Sequence, residues 1–210
     1  MIMLPMIITK QNNIEIHSWF PTLIGVGFYK NHQQEAPAII EYLEKIKNNN
    51  RKPNPTRSPS FNYLNTPKHK SLTNLNKWIQ DQVDDYVLFH NFKKKKYKPI
   101  ESWFHWYKEN DYNPDHVHLG RTISIVYYLQ GDMEDSRVIF KSPVPADMKN
   151  PYGVQSYAKK ESDKNPYTHT DCYYKPVEGM LLIFRSYLQH RVEVKRKGLK
   201  DRIIISWDLD

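Results

Sequence analysis

Hydrophobic and polar positions follow one spacing before about residue 100 and another after it. The opening MIMLPMIITK is predicted to be a first strand, and residues 14–28 read as extended structure interrupted by Pro21. From Pro37, apolar residues recur every three or four positions, as on one face of a helix. From Glu101, short apolar runs alternate with turn residues, which indicates strands.

Two helices are predicted in the first half. One runs from Pro37 to the asparagines at 48–50 and pairs Glu41 with Lys45 one turn apart. The other begins with Ser71 as its N-cap. Their apolar faces consist of Ile39, Ile40, Leu43 and Ile46 in the first helix and Leu72, Leu75, Trp78, Ile79 and Val83 in the second.

The second half contains six predicted strands. They are SWFHWY, TISIVYYL, RVIF, GMLLIF, HRVEV and RIIISWDL. Short strands separated by turns predict a sandwich or jelly roll, with the two helices packed on one face. Residues 141–175 form a long predicted loop that could act as a lid. We interpret residues 1–210 as one domain, in which 1–100 supplies supporting strands and helices and 101–210 the jelly-roll core.

Charge and cysteine content restrict the possible partners and location. The net charge of +8 permits an anionic partner, and the lysine run KKKKYK at 93–98 could touch nucleic-acid phosphates, although a solvated loop explains it more simply. The single cysteine, Cys172, excludes internal disulfides and four-cysteine zinc sites. We find no signal peptide and no apolar run of the ~20 residues that cross a membrane, and we expect a soluble cytoplasmic protein.

Candidate chemistry concentrates in three segments of the second half. In HVH, His116 and His118 alternate with a valine, so on a strand both rings point the same way, as two ligands of one metal require. Neutral imidazole suits iron, zinc, copper and nickel. His190 follows another apolar strand, and Arg202 opens RIIISWDL. An arginine is costly to bury unless it meets an anion, so the four residues suggest a metal with an acidic organic cosubstrate.

These segments resemble the iron(II)- and 2-oxoglutarate-dependent oxygenases, particularly their prolyl-hydroxylase-like branch. HVH stands where that branch has His-x-Asp, RTISIVYYL is similar to its next strand, and LLIFRSYLQHRVEV and RIIISWDLD are similar to its distal-histidine and closing segments. The amino-terminal WFPT and the two helices resemble a less characterised subgroup in which His-x-His is usual.

The resemblance implies a double-stranded β-helix and a dioxygenase that hydroxylates its substrate with Fe(II), 2-oxoglutarate and O2. It implies His116 and His190 as iron ligands, and Arg202 with Tyr128 as the groups that hold the distal carboxylate of 2-oxoglutarate. The substrate is a peptide, a prolyl peptide being one option, or a small molecule.

The departure from the family pattern is His118, which replaces a carboxylate. In the interpretation that we favour, His118 ligates and gives a three-histidine site. In a second, Asp115 or Asp171 supplies the carboxylate ligand instead. In a third interpretation, His118-Leu119-Gly120 takes the part of the His-x-Gly of related halogenases.

Other motifs are given no role in the metal site. The second His-x-Asp, His169 to Asp171, lies too close to His190 in sequence to share its site. The remaining histidines have no metal-like partners in sequence. Arg185 is placed where it could meet an anionic substrate, whereas Arg191 should face away from the metal. Two rival functions stay open at this point: a cupin-like three-histidine dioxygenase that ignores 2-oxoglutarate, and a basic binding module without catalysis.

Overall fold

The computed structural model describes most of the chain. The described residues are 6–11, 14–18, 22–49, 60–62, 69–92, 96–144 and 169–210, with side chains described from residue 22 onward except at 60–62. Residues 93–95 of the lysine run and 145–168 of the predicted lid lie outside the described residues.

The described residues form two helices and twelve strands. In chain order these are β1 Met6–Gln11, β2 Ile14–Ser18, β3 Ile24–Phe28, α1 His32–Asn49, β4 Ser60–Asn62, α2 Thr73–His90, β5 Pro99–Tyr107, β6 Asn113–His116, β7 Ile123–Gln130, β8 Val138–Lys141, β9 Asp171–Tyr174, β10 Met180–Arg185, β11 His190–Val192 and β12 Arg202–Leu209. All six strands predicted from apolar runs are present, and within the described residues no helix is long and apolar enough to cross a bilayer.

The strands form two larger antiparallel sheets and a separate β1–β2 pair. The six-stranded sheet has the order β3-β10-β7-β12-β5-β4, and the four-stranded sheet the order β6-β11-β8-β9. Strands that are distant in sequence therefore lie side by side, with β12 between β5 and β7. This arrangement agrees with the predicted sandwich of sheets.

Alternation along the large sheet produces two separate cores. On β12, Ile203, Ile205 and Trp207 belong to the core shared with α1 and α2, whereas Ile204 belongs to a second core that includes Val138 and Phe140 of the small sheet. Neighbouring side chains on a strand point to opposite faces. The even-numbered residues of β12, which include Arg202 and Asp208, therefore face the space between the sheets.

Helix α1 begins five residues earlier than predicted, and Pro37 lies inside it. The earlier start is explained by His32, a buried residue whose ring nitrogen Nδ1 is 2.7 Å from the hydroxyl of Tyr127 on β7. This contact and the burial of Ala36 fix an additional turn that the pattern after Pro37 does not reveal. The predicted pair of Glu41 and Lys45 is present at 2.6 Å on the exposed face.

Helix α2 differs from the prediction at its start. Ser71 lies inside a short 3-10 turn, Lys70–Leu72, and it is the side chain of His69 that accepts a hydrogen bond from the Ser71 amide. The predicted apolar face is otherwise correct, with Leu72, Leu75, Ile79 and Val83 buried and Trp78 partly buried against the same core.

Strands β6 and β9 contain no apolar run from which they could be predicted. Strand β6 contains Pro114 and pairs with β11, placing His116 opposite His190. Strand β9 falls within the predicted loop 141–175 and pairs with β8, so that part of the loop prediction is wrong. Both strands are defined by their partners rather than by their own composition.

Candidate metal centre

The end of β6 and the start of β11 bring three histidines into one cluster. One ring nitrogen each from His116, His118 and His190 lies within 4.8 Å of the others. His116 and His190 are cross-strand partners, with ring centroids 4.2 Å apart. His118 follows β6, where its backbone amide donates to the carbonyl of Ser186 at 3.0 Å.

Hydrogen bonds orient all three rings in the same sense. The Nδ1 atom of His116 lies 2.7 Å from the carbonyl of Pro114, that of His190 lies 2.9 Å from the carbonyl of Leu188, and that of His118 lies 2.8 Å from the carboxylate of Asp208. Because carbonyl and carboxylate oxygens accept, each Nδ1 carries the proton. The Nε2 lone pairs are therefore left for a ligand, which is the tautomer that metal-binding histidines adopt.

The cluster fits a metal ion by two further observations. Burial, with a smaller contribution from the neighbouring His116, lowers the pKa of His190 to about 3, so the ring is neutral at physiological pH. The Nε2 atom of His118 is buried and has no hydrogen-bond partner in the described part of the chain. A buried polar atom without a partner is unusual, and a metal ion among the three rings would satisfy it.

Arg202 forms a second group of unpaired atoms. Its Nη1 donates to the carbonyl and hydroxyl of Ser136 at 2.9 and 2.8 Å, and lies 3.4 Å from the carboxylate of Asp135. Its Nε and Nη2 are buried without a partner among the described residues. Lys195 is also buried, 3.7 Å from the same carboxylate. Two buried cations thus share one buried carboxylate, which favours the binding of an additional anion.

Aromatic hydroxyls line the wall beside Arg202. The guanidinium carbon lies 4.5 Å from the ring centroid of Tyr107, whose hydroxyl is buried and unpaired within the described residues. Tyr128 is buried on the adjacent strand. Burial raises the pKa of both phenols well above its ordinary value, so both are protonated donors at neutral pH.

His105 lies on the same strand as Tyr107, two residues earlier, and the two rings stack. Burial, with smaller contributions from His116, Arg202 and His118, lowers the pKa of His105 to about 3. Its Nδ1 atom also has no partner in the described ranges. His105 is therefore a neutral ring that lies close to both the histidine cluster and Arg202.

The histidine cluster and the Arg202 group line one cavity between the sheets. Its wall consists of Trp103, His105, Tyr107, Asn113, His116, His118, Ser124, Ile125, Val126, Tyr128, Val138, Phe184, His190, Val192, Arg202, Ile204 and Ser206. The structure thus brings together all five site residues that the sequence predicts.

The alternative ligands for the third position lie elsewhere. Asp115 pairs with Lys141 at 2.8 Å and lies 3.8 Å from Arg191, and Asp171 is exposed on β9. Among the described residues, the metal-like cluster contains the three histidines and no carboxylate. The His118-Leu119-Gly120 register would leave His116 without a role, although its ring adjoins that of His190.

Sequence reasoning missed several residues of the cavity. Three of them, His105, Tyr107 and Ser124, line its wall. The others, Asp135, Ser136, Ser186 and Asp208, form hydrogen bonds to residues of the wall. A usable signal existed for one of them: counting in twos from Arg202 along β12 places Asp208 on the inner face. Tyr107 and His105 are the cross-strand partners of Arg202 and Ile204, a register that the sequence does not show.

Comparison with known proteins gives a family and a fold. Residues 101–208, more than half of the chain, match the family model described as "Putative 2OG-Fe(II) oxygenase". No curated protein matches the chain in sequence.

Solved structures resemble the whole chain at low identity. A prolyl-4-hydroxylase from Pseudomonas putida is 12% identical with a TM-score of 0.59, covering 89% of this chain and 92% of its own. The viral collagen prolyl hydroxylase of Paramecium Bursaria Chlorella virus-1, in a 2OG complex, is 13% identical with a TM-score of 0.52, covering 88% and 94%. HygX from Streptomyces hygroscopicus, with nickel, 2-oxoglutarate and hygromycin B bound, is 13% identical with a TM-score of 0.57, covering 90% and 82%. The predicted double-stranded β-helix is confirmed.

Proposed function

Since the chain belongs to the 2OG-Fe(II) oxygenase family, whose members use iron, 2-oxoglutarate and dioxygen, we propose that His116, His118 and His190 bind the iron and that Arg202 binds the distal carboxylate of 2-oxoglutarate. The observation that carries this assignment is one cavity with two sets of unpaired groups. The Nε2 of His118 offers a lone pair, and Arg202 offers two N–H groups.

The chain's own residues hold, orient and shield the two ligands. Tyr107 and Tyr128, as protonated phenols beside Arg202, donate to the same carboxylate. The planar guanidinium of Arg202 fixes the orientation of that carboxylate. Apolar side chains such as Phe184 and Ile204 keep water from the space between the two groups. When bound, iron, 2-oxoglutarate and dioxygen would supply the hydroxylation of an unactivated C–H bond, with one oxygen atom entering the product and the other the succinate that forms from 2-oxoglutarate with loss of carbon dioxide.

The substrate is proposed only by class. Two structural relatives are hydroxylases named for prolyl substrates, and HygX was solved with hygromycin B, so both a prolyl peptide and a small molecule remain candidates. Because identity is low, this likeness supports the fold and not the substrate. Family membership makes the cupin-like and non-catalytic alternatives unnecessary. We further infer a single domain and an intracellular location, the latter supported by the sole cysteine.

Anaerobic spectroscopy tests the assignment. Metal-free protein would receive Fe(II) and then 2-oxoglutarate, and the visible charge-transfer band of the chelate would be followed. We expect the band in the wild type, its loss in His116→Ala and His190→Ala, and a weakening of 2-oxoglutarate affinity by at least about tenfold in Arg202→Met, since a bidentate charged contact is lost. Arg121→Met is the matched control, because Arg121 pairs with Glu101 on the surface. Iron binding without any band would refute the 2-oxoglutarate assignment.

A further inference from the structure

Asp208 is a buried carboxylate whose charge no lysine or arginine balances in the described part of the chain. It is 3% exposed, and its only ion-pair contact there is with His118. Burying an ionised carboxylate is costly unless it is paired and hydrogen-bonded. The fold keeps Asp208 on the inner face of β12, where His118 is the described group through which a positive charge can reach it.

Two hydrogen bonds hold the Asp208 carboxylate in place, one from His118 and one from Ser124. One carboxylate oxygen accepts from Nδ1 of His118 at 2.8 Å, and the other accepts from the hydroxyl of Ser124 at 2.7 Å. The Ser124 oxygen lies 2.8 Å from the hydroxyl of Ser186, which can donate to it. Both serines are buried, so the carboxylate has one orientation and the proton on Nδ1 one position.

His118 is restrained on its other sides as well. Its ring stacks on Trp103, with centroids 5.6 Å apart, and its backbone amide is held by the carbonyl of Ser186. The contrast with the other two rings is chemical: His116 and His190 donate to neutral carbonyls, and only His118 donates to an anion. An imidazole that donates to a carboxylate is a more basic and more electron-rich ligand.

We propose that Asp208 is a positioning residue of the metal centre, which gives His118 the anionic character that a carboxylate ligand would otherwise supply. The inference rests on the proposed function, since it requires that His118 binds the metal. The two-histidine, one-carboxylate iron site places its negative charge on the metal itself. In this chain the negative charge lies on Asp208, which does not bind the metal. It acts on the metal through His118, because the Nδ1 proton of that ring is hydrogen-bonded to the carboxylate.

Cobalt(II) is the probe for the test, because its visible spectrum and its paramagnetic shifts report on the ligands without turnover or 2-oxoglutarate. Asp208→Asn removes the charge while its amide can still accept from Nδ1 and donate to the Ser124 hydroxyl. We expect cobalt affinity to fall about 10- to 100-fold. We also expect one of three exchangeable ring N–H proton signals to shift or disappear. Asp210→Asn is the matched control, because Asp210, directly after β12, accepts from the hydroxyl of Thr122 and has no described contact with His118.

A double-mutant comparison separates a role through His118 from a structural one. In a His118→Ala background Asp208 has no ring to act through, so Asp208→Asn should weaken cobalt binding much less than it does in the wild-type background. A residue that merely supports the fold would weaken binding equally in both backgrounds, and that result would overturn the proposal. If Asp208→Asn does not fold, Ser124→Ala, which releases one carboxylate oxygen, should lower cobalt affinity severalfold, and unchanged affinity would count against us.

The outcomes also separate this inference from the metal assignment. Wild-type protein that binds no cobalt would overturn the metal centre, and the role of Asp208 with it. Wild-type binding that Asp208→Asn leaves unchanged, with all three ring signals in place, would overturn only the role of Asp208.

Discussion

At the scale of single residues, the cavity is built from side chains that are unsatisfied in the protein alone. The hydroxyl of Tyr107, the Nε2 of His118 and two nitrogens of Arg202 are buried without partners among the described residues. Each such group costs about 1–3 kcal/mol of stability when left unpaired. A ligand that forms hydrogen bonds with these groups recovers this free energy when it binds. These residues should therefore lower the stability of the ligand-free protein and raise its affinity for the ligand.

Tyr107→Phe tests this trade. Removing an unpaired buried hydroxyl should leave the metal-free protein equally stable or more stable by up to about 1 kcal/mol, while weakening 2-oxoglutarate binding severalfold. Tyr127→Phe is the matched control, because its hydroxyl lies 2.7 Å from His32. It should lose about 1 kcal/mol of stability without affecting 2-oxoglutarate. Denaturant unfolding and the anaerobic titration measure the two effects, and a Tyr107→Phe protein that is less stable with unchanged affinity would contradict the argument.

The site residues could be predicted where they form a pattern that is rare in sequences. His-x-His, a distal histidine and an arginine opening an apolar strand are unusual enough in sequence to suggest the site. Asp208 and Tyr107 were not found because their roles depend on the register of β12 with β5 and β7, which follows from tertiary pairing. A carboxylate near the end of an apolar strand looks like an ordinary strand terminus until its partner His118, 90 positions away, is known.

At the scale of elements, the helices and the central strands join through one tight turn. Gly179 precedes β10 with φ +80°, its amide donates to the carbonyl of Tyr128, and its carbonyl accepts from the amide of Tyr29. A Cβ placed there would lie 3.1 Å from the side chain of His32. The turn therefore positions the start of α1 against the large sheet.

Gly179→Ala should destabilise the protein through both backbone strain and this contact. Gly198→Ala provides the comparison, since Gly198 has φ +77° and no described atom within 4 Å of the added Cβ. Strain alone costs about 1–2 kcal/mol, so Gly198→Ala should lose about that amount and Gly179→Ala measurably more. Equal losses in denaturant unfolding would show that His32 moves aside without cost.

Helices and strands could be predicted where their apolar side chains are buried on one face, because this burial produces a regular spacing in the sequence. The apolar strands β5, β7, β10 and β12 and the two helical faces follow from periodicity. Strands β6 and β9 do not, because most of their side chains are exposed and their pairing with β11 and β8 defines them. The start of α1 was misplaced for a related reason: His32 is polar in sequence and becomes a buried anchor only beside Tyr127.

At the scale of the whole molecule, the two sheets enclose the ionisable groups of the site in a low-dielectric space. His105 and His190 are both buried, and burial lowers the pKa of each to about 3. In the unfolded chain both rings titrate near 6.5. Between these values the unfolded state binds more protons than the folded state, so the stability of the metal-free protein falls as pH falls from about 6.5.

His105→Phe should remove one of the two large contributions. From pH 7.5 to pH 5 we expect the wild type to lose about 1–2 kcal/mol for each buried histidine, and the variant to lose about half as much in total. The aromatic replacement can preserve stacking on Tyr107, and no described partner of His105 Nδ1 is left unpaired. The test is denaturant unfolding of the metal-free protein at both pH values, comparing the change with pH rather than absolute stability. Parallel losses in wild type and variant would mean that His105 is protonated in the folded protein, and that the cavity is wetter and less insulated than its burial implies.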